Sequence, residues 1–225
     1  MSFLSFAWNW LRAAHQWQGS DGIPVRILEH LGYSGLSLLI AALIALPLGV
    51  AIGHSGRGAF LVVNLANAWR SIPTLGLLVL MAVLLGFSAL SWLIPLVVLA
   101  IPPILVNAYE GVLGVDRDLK DAARGMGMTP WQILLKVEVP VASPLIVLGL
   151  RTAAIFVVAT ATIAAEIGLG GLGRYIIDGL ASQIYPEVAG GAALVALLAL
   201  AVQVAFVLIR RVVVPVGLRM RARSS

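Results

Sequence analysis

The chain has 225 residues, of which 11% are charged and 60% are hydrophobic, and its mean hydropathy is +1.02. Soluble domains average about 25% charged and about 45–50% apolar residues, so this composition excludes a soluble protein. The net charge is +5, but the basic residues lie mostly in short loops and at the C-terminus, without the basic and aromatic stripe of a nucleic-acid surface. Cysteine is absent, which excludes disulfides and thiolate metal sites within the chain.

Residues 1–30 form an N-terminal segment that contains Trp8, Trp10 and Trp17. The segment is too short and too polar to span a bilayer, and indole rings are favoured at membrane interfaces. We expect an extracytoplasmic interfacial helix, with a disordered tail as the alternative. No basic residue precedes Arg12 and no smooth apolar core follows, so a cleaved signal peptide is not expected.

A bilayer core about 30 Å thick requires about 20 apolar residues of helix. Five segments meet this requirement, at residues 31–53, 59–87, 89–106, 139–165 and 188–209. We therefore predict an all-α fold, a polytopic membrane helical bundle with about five transmembrane helices in residues 31–210, followed by a basic tail at 211–225. Prolines inside these segments remove backbone donors and are expected to bend the helices; they are Pro47, Pro73, Pro95, Pro102 and Pro103.

Five spans place the two termini on opposite sides of the membrane. One side would carry Arg57, Arg117, Lys120, Arg124, Lys136, Arg210, Arg211, Arg219, Arg221 and Arg223, and the other side only Arg12, Arg26 and Arg174. Because lysine and arginine concentrate in cytoplasmic loops, we predict that the N-terminus is outside and the C-terminus is cytoplasmic.

Two arginines fall within predicted spans, Arg70 in the second and Arg151 in the fourth. Charges are costly inside a membrane and usually face a cavity or a partner. The functional interpretation is that they line or brace a translocation pathway, and the alternative is that they pair with carbonyls or with neighbouring helices to hold the bundle. We group Pro73, which ends the stretch "RSIP", with these pathway candidates.

The longest predicted cytoplasmic segment is a polar island at residues 107–139. Asp116 can cap a short helix there, and Gly125 and Gly127 are expected to end it. Pairs at four-residue spacing support this helix, Asp116 with Lys120 and Arg117 with Asp121.

A second short helix is predicted to begin at Thr129, with Pro130 at its first position and Gln132 completing a capping box. Trp131, Leu134 and Leu135 would supply an apolar face. Pro140 is expected to end this helix and to begin the fourth span. Two short helices joined by a glycine hinge would form a protruding knob, and the alternative is a loop folded back on its own bundle.

The stretch "DAARGMGMTPWQILLKVEVP" resembles the cytoplasmic signature of binding-protein-dependent ABC importer permeases, written E-A-A, three residues, G, nine residues, I-x-L-P. The places of that signature are held here by Asp121, Ala122, Ala123, Gly127, Val137, Val139 and Pro140. In that family the knob docks into a groove on a cytoplasmic ATPase. The resemblance therefore implies ATPase docking through these residues and a type I ABC importer permease-like fold.

Beyond the signature, residues 33–210 resemble the permeases of osmoprotectant, or quaternary-amine, importers in stretches such as "AWRSIPTLGLL" and "IPPILVNAYEGV". This resemblance implies import of glycine betaine, choline or carnitine across the cell inner membrane, with substrate delivered by a separate extracytoplasmic binding protein. It also implies a second permease subunit, the same or a related chain, and ATP and magnesium on a partner ATPase dimer, with no cofactor bound by this chain. Methionine-type permeases share "RSIP" and "GGLG", so an amino-acid or methionine importer is one alternative, and a passive channel is another.

Quaternary ammonium groups are usually recognised by aromatic cages. Only 7% of the residues are aromatic, and no cluster of them is evident within the predicted spans. We therefore expect recognition by the separate binding protein and a permissive path through the permease.

A glycine-rich stretch, "EIGLGGLGRY", follows the fourth span on the predicted outer side. Glycines permit a tight, re-entrant backbone, so we expect an outer gate containing Glu166, Gly170, Gly171 and Gly173, with a plain extracellular turn as the alternative. The stretch is not a phosphate loop, because GxxxxGK[ST] is absent from the sequence. H-E-x-x-H and G-x-S-x-G are absent too, and we predict a translocating subunit rather than an enzyme.

Overall fold

A computed structural model describes residues 3–60, 62, 64–65 and 71–215. Over these residues the chain is helical, and no strand is present among them, which confirms the all-α prediction. The α-helices are α1 (Phe3–Arg12), α2 (Ile23–Ser55), α3 (Thr74–Leu85), α4 (Ala89–Leu113), α5 (Arg117–Gly125), α6 (Pro130–Ile133), α7 (Val139–Ile163), α8 (Gly173–Ala181) and α9 (Tyr185–Val213). A π-helical turn (Leu134–Glu138) joins α6 to α7, and short 3-10 turns occupy Ala14–Trp17 and Ala164–Ile167.

Four segments of the described chain are long and apolar enough to cross a membrane, namely Ile23–Ser55, Ala89–Leu113, Pro130–Ile167 and Tyr185–Val213. The predicted second span, 59–87, includes positions outside the described residues, Arg70 among them, and its described part contains the shorter apolar helix α3. Pro73 does not bend a helix, contrary to the prediction. It is the extended N-cap of α3, where its missing N–H costs nothing because the first helical donors have no intrahelical acceptor.

Two predicted boundaries shift in the structure. The first long helix begins at Ile23 and not at Leu31, because the polar residues Arg26, Glu29 and His30 are accommodated within the helix. The polar island begins after Leu113, since α4 continues through Asn107, where the island was predicted to start.

The chain divides into two compact units, of which the first comprises Met1–Leu39, Ile72–Ala100 and Ala154–Val202. One of its apolar clusters contains Trp10, Ile23, Leu172, Tyr175 and Leu194. The rings of Trp10 and Tyr175 meet edge to face, with centroids 4.9 Å apart. The N-terminal segment therefore forms a helix, α1, that is anchored through Trp10, while Trp8 and Trp17 remain exposed. Its contact with a membrane interface stays a prediction.

The second unit comprises Ile40–Ser71, Ile101–Ala153 and Gln203–Ser225. An apolar cluster in this unit contains Val112, Leu134 and Ala142, with Val50, Val139 and Ile146 packed against it. The whole of the stretch that resembles the permease signature belongs to this unit.

Candidate functional site

The stretch from Asp116 to Pro140, here called the docking segment, begins with the predicted cap. The Asp116 carboxylate accepts the Asp118 N–H at 3.0 Å and opens α5. The predicted charge pairs at four-residue spacing are wrong. Lys120 pairs with Glu138 at 3.0 Å and Asp121 with Arg124 at 2.7 Å, because a buried carboxylate attracts the lysine more strongly than an exposed one.

The glycine hinge of the docking segment is a complete Schellman motif. Gly127 has a φ of 78° and donates its N–H to the Arg124 carbonyl at 2.9 Å. Met128 donates to the Ala123 carbonyl at 3.2 Å. The predicted end of the first short helix is confirmed, and its last carbonyls are satisfied within the segment.

The second short helix begins with the predicted capping box. The Thr129 hydroxyl accepts the Gln132 N–H at 3.3 Å, and the Thr129 N–H donates to the Gln132 side-chain oxygen at 2.9 Å. Pro130 occupies the first turn, as predicted. Hydrogen bonds within the docking segment therefore fix both the end of α5 and the beginning of α6.

Pro140 does not end this second helix, contrary to the prediction, and the chain is helical without a break from Pro130 to Ile167. In the π-helical turn, the Val139 N–H donates to the Leu134 carbonyl, one residue further back than in an α-helix. A proline ring in a regular α-helix collides with the carbonyl four residues before it. The wider turn immediately before Pro140 removes that collision, so the docking segment continues directly into the following span.

The predicted docking residues differ in exposure. Asp121, Ala122 and Gly127 are exposed, Ala123 is buried, and Val137, Val139 and Pro140 are half-buried. The predicted apolar face also divides, because Leu134 is buried in the core of the second unit while Trp131 and Leu135 point outward. Four large apolar side chains of the docking segment are exposed by 48% or more and are here called the apolar patch: Leu119, Met126, Trp131 and Leu135.

Glu138 is the central residue that the sequence analysis missed. Its side chain is 2% exposed, with Oε1 3.0 Å from Lys120 Nζ and Oε2 2.5 Å from His54 Nδ1. An ionised carboxylate only accepts hydrogen bonds, so His54 donates from Nδ1. Lys120 also donates to the Val112 carbonyl at 3.3 Å. The sequence signal was an acidic residue beside an apolar span, since such a residue requires a partner.

This buried cluster joins the docking segment to two spans. His54 lies in the last turn of α2, Lys120 lies in α5, and Glu138 immediately precedes α7. Withdrawing a carboxylate from water costs several kcal/mol, and only paired, well-placed charges offset this cost. The cluster therefore holds α5 in one position relative to the end of α2 and the beginning of α7.

The glycine-rich stretch packs against the first turns of α2. Gly168 and Gly171 have φ of 88° and 82°, which confirms the tight backbone. The Gly171 N–H donates to Glu29 Oε2 at 2.8 Å, and a Cβ at Gly171 would lie 3.0 Å from His30 Nδ1. A Cβ at Gly173 would lie 2.2 Å from the Thr162 carbonyl oxygen. Gly170, Gly171 and Gly173 are thus brought together against α2 and α7, whereas Glu166 is exposed on the short turn after α7.

Polar contacts hold the same end of the first unit. Arg26 binds Glu29 at 2.9 Å and also pairs with Asp21. The Tyr175 hydroxyl donates to the Asp21 carbonyl at 2.5 Å. Burial raises the pKa of Tyr175 to about 12, so this hydroxyl is protonated and remains a donor at neutral pH. The glycine-rich stretch is therefore fastened to the beginning of α2 at two points, Gly171 and Tyr175.

Aromatic residues do form a cluster, contrary to the prediction. Tyr33, Phe87 and Trp92 line a single cavity together with the backbone stretch from Ile167 to Gly170, all within the first unit. This space is here called the aromatic cavity. The prediction failed because the three residues come from different parts of the chain and no local pattern brings them together.

The pathway candidates have different surroundings. Arg151 donates from Nε to Gln203 Oε1 at 2.7 Å and so links α7 to α9, which favours the bracing interpretation. Pro73 is exposed at the start of α3. Arg70 lies outside the described residues, and its role stays a prediction.

The long apolar helices, together with the structured polar segment between two of them, define a multi-pass membrane protein. Residues 38–216 match the family described as "binding-protein-dependent transport system inner membrane component". The chain belongs to this family and is the membrane permease of an ABC importer, which sets aside the passive channel.

Curated relatives cover most of the chain. It is 37% identical over 192 residues to the glycine betaine/carnitine/choline transport system permease protein OpuCB of Bacillus subtilis, covering 85% of this chain and 88% of the relative. It is 36% identical over 188 residues to the carnitine transport permease protein OpuCB of Listeria monocytogenes, covering 84% and 86%. It is 33% identical over 174 residues to the osmoprotectant import permease protein OsmY of Salmonella typhimurium, covering 76% and 74%.

A solved structure confirms the predicted type I ABC importer permease-like fold. The chain superposes on a chain of the MetNI methionine ABC transporter in an inward-facing conformation with a TM-score of 0.74 and 28% sequence identity. The match covers 86% of this chain and 96% of that chain. The predicted fold and the predicted transporter class therefore agree with an experimental structure as well as with the family.

Proposed function

We propose that this permease imports quaternary-amine osmoprotectants of the glycine betaine, choline and carnitine type. The observation that carries the proposal is the set of curated relatives, each 33–37% identical over most of its length and named for this group of substrates. The substrate would be delivered by a separate extracytoplasmic binding protein.

The docking segment is proposed to be the surface that receives a cytoplasmic ATPase dimer, which would hold the ATP and magnesium. Two observations support this role. Hydrogen bonds fix the end of α5 and the beginning of α6, and the apolar patch is exposed. A rigid contact surface transmits displacement, and apolar side chains rimmed by charge are typical of protein interfaces. Direct continuation of the segment into α7 gives movement of the ATPase a path into a span.

We place the chain in the cell inner membrane, with its N-terminus outside and its C-terminus in the cytoplasm. The docking segment would then face the ATPase, and the glycine-rich stretch would act as an outer gate. A transport path requires enclosure on all sides, so we propose a complex with two permease subunits, either two copies of this chain or this chain with a related one.

Reconstituted transport tests the proposal. The permease, its ATPase and its binding protein are placed in proteoliposomes, and uptake of radiolabelled glycine betaine, choline and carnitine is measured with and without ATP. ATP-dependent uptake of at least one of them is expected. Absence of uptake of all three, with uptake of an amino acid, would overturn the substrate assignment and leave the transporter class standing.

Methionine is the second candidate substrate, because the solved structures that match belong to a methionine transporter. Their identity to this chain is 28–29%, below that of the osmoprotectant relatives. Uptake of radiolabelled L-methionine in the same proteoliposomes discriminates between the two candidates.

A further inference from the structure

The aromatic cavity has the size of a small-ligand site. Its volume is about 350 Å³, within the range of about 300–1,000 Å³ that small-molecule pockets occupy. Tyr33 projects from α2, Trp92 lies in the first turn of α4, and Phe87 lies in the turn before α4. The ring centroids of Tyr33 and Trp92 are 4.9 Å apart, and the rings are inclined at 55°. Two aromatic rings therefore form one continuous wall.

Packing behind this wall fixes the ring positions. Tyr33 and Trp92 pack against a buried cluster formed by Leu78, Ala82, Ala164, Ile167 and Leu169. Phe87 lies beside the glycine-rich stretch, where its Cδ1 is 3.9 Å from the position a Cβ would take at Gly168. The Phe87 side chain is 85% exposed, so the cavity is open at this ring.

The lining of the cavity is mixed. Tyr33, Ser88 and Ser91 contribute hydroxyl groups, of which that of Ser91 donates to the Ser88 carbonyl at 2.6 Å. The side chains of the stretch from Ile167 to Gly170 are apolar or absent. Among the described residues that line the cavity none has a charged side chain, so a quaternary ammonium there would meet the aromatic rings without a competing cation among them.

Charge beside the cavity also favours a cation. Glu29 Oε2 would lie 2.5 Å from a Cβ at Gly170, a residue that lines the cavity, and Nη1 of its partner Arg26 would lie 3.2 Å from the same position. Glu29 and Asp21 share Arg26 as their partner, so these three groups together carry one net negative charge. A cation in the cavity therefore faces aromatic rings on one side and a group of net negative charge close by.

We propose that the aromatic cavity of the permease is itself a binding site for the trimethylammonium group of the substrate, with Tyr33, Trp92 and Phe87 as the contacting rings. The inference rests on the proposed function and deepens it, because it gives the permease a recognition site in addition to that of the binding protein. Substrate released by the binding protein would be held here before it enters the path.

Direct binding to the permease tests the site. The permease–ATPase complex is placed in lipid nanodiscs without any binding protein, and equilibrium binding of radiolabelled choline is measured. Tetramethylammonium is expected to displace choline. The uncharged isostere of choline, 3,3-dimethylbutan-1-ol, is not expected to displace it. No choline binding by the complex, or equal displacement by the uncharged isostere, would overturn the site.

Matched variants locate the binding. Trp92→Leu is expected to weaken choline binding about tenfold, whereas Trp92→Phe, which retains a ring, should weaken it by less. Phe60→Leu removes an exposed ring outside the cavity and is expected to bind like the unmodified complex. Co-elution of each variant with the ATPase shows that it is assembled. Equal binding by assembled Trp92→Leu and Phe60→Leu would contradict the site.

The same complex separates the two proposals. Choline uptake is measured in proteoliposomes that contain the complex, with binding protein and ATP added. If this uptake occurs but the complex in nanodiscs does not bind choline, the binding site in the aromatic cavity is overturned and the proposed function stands. Uptake of methionine alone would overturn the proposed function.

Discussion

Lys120 Nζ lies 3.0 Å from Oε1 of Glu138, so the docking segment is tied to the beginning of α7 through a carboxylate that is almost completely buried. His54 Nδ1 meets the other oxygen of the same carboxylate at 2.5 Å. His54 of α2 and Lys120 of α5 thus meet at the carboxylate of Glu138, which immediately precedes α7. Movement of one of these elements must either carry the other two or break a contact with the carboxylate.

Glu138→Ala is expected to destabilise the second unit by about 3–5 kcal/mol, because Lys120 loses its buried counter-charge. Asp121→Ala is the control, since it removes an exposed pair with Arg124 and should cost no more than about 1 kcal/mol. Thermal unfolding of the purified complex measures both. We also expect Glu138→Gln to lower the ATP turnover that loaded binding protein stimulates. Equal unfolding temperatures for Glu138→Ala and Asp121→Ala would contradict the structural role of the cluster.

Gly127 and Gly125 form a matched pair within the docking segment. Gly127→Ala forces a Cβ into the left-handed region, at about 1–2 kcal/mol, although nothing lies within 4 Å of that Cβ. Gly125 is helical with equally open space, so Gly125→Ala should stabilise by about 0.5–1 kcal/mol. Uptake and thermal unfolding are compared for both variants. Equal uptake and equal unfolding temperatures for the two variants would mean that neither stability nor transport requires the Schellman motif at Gly127.

Gly127→Val and Gly127→Asp separate backbone strain from crowding at the hinge. An added Cβ at Gly127 meets nothing within 4 Å, so the two variants differ mainly in how readily they adopt a positive φ. Aspartate also enters the left-handed region more readily than most residues. Gly127→Val is therefore expected to reduce coupling between ATPase and uptake more than Gly127→Asp does.

Trp131 is expected to carry much of the ATPase contact, because exposed tryptophans are frequent centres of protein interfaces. Trp131→Ala should weaken ATPase binding by about 2 kcal/mol or more, which is roughly thirtyfold. Affinity is measured between the permease in nanodiscs and the isolated ATPase. Trp8→Ala, which removes an exposed tryptophan from α1, is the control. Unchanged affinity in Trp131→Ala would exclude the apolar patch from docking.

Comparison of Gly171→Ala with Gly19→Ala separates the cost of backbone strain from the cost of steric crowding. Both have φ near 80°, but a Cβ at Gly171 would meet His30 at 3.0 Å while a Cβ at Gly19 meets nothing within 4 Å. Gly171→Ala should therefore cost about 1–3 kcal/mol more than Gly19→Ala, since α2 must yield. We expect uptake to fall strongly in Gly171→Ala with co-elution of the ATPase retained. Uptake equal to that of Gly19→Ala would refute the gate.

Arg151 and Gln203 can be tested by rescue. Gln203→Leu leaves the part-buried Arg151 guanidinium without its hydrogen-bond acceptor, which is expected to cost about 1.5–3 kcal/mol. The double variant Arg151→Leu with Gln203→Leu removes both polar groups and should recover most of that stability. Thermal unfolding measures the recovery. If the double variant is no more stable than Gln203→Leu, Arg151 does not act as a brace through this pair.

Local signals allowed the turns of the docking segment to be predicted from sequence. The cap at Asp116, the hinge at Gly127 and the capping box at Thr129 each depend on residues within four positions, so their chemistry is visible in the order of the residues. The continuation of the helix through Pro140 was not visible, because it depends on a π-helical turn that no local residue pattern specifies.

Distant pairs explain what the sequence could not predict. His54 and Glu138 are 84 residues apart, and nothing in either neighbourhood specifies the other. Tyr33, Phe87 and Trp92 meet only because α2 and α4 pack together with the glycine-rich stretch. Composition correctly indicated few aromatic residues, but their grouping is a property of the fold.

The π-helical turn before Pro140 also sets an angular relation. A π-helical turn winds by less than the about 100° per residue of an α-helix, so it takes up one additional residue with little net rotation between α6 and α7. Losing one residue from Leu134–Glu138 would therefore leave the direction of Trp131 and Leu135 relative to α7 nearly unchanged, but it would restore α-helical winding at Pro140 and bend the helix there. The tilt of the docking segment on α7 is therefore encoded by chain length within a single turn, independently of which side chains the segment exposes.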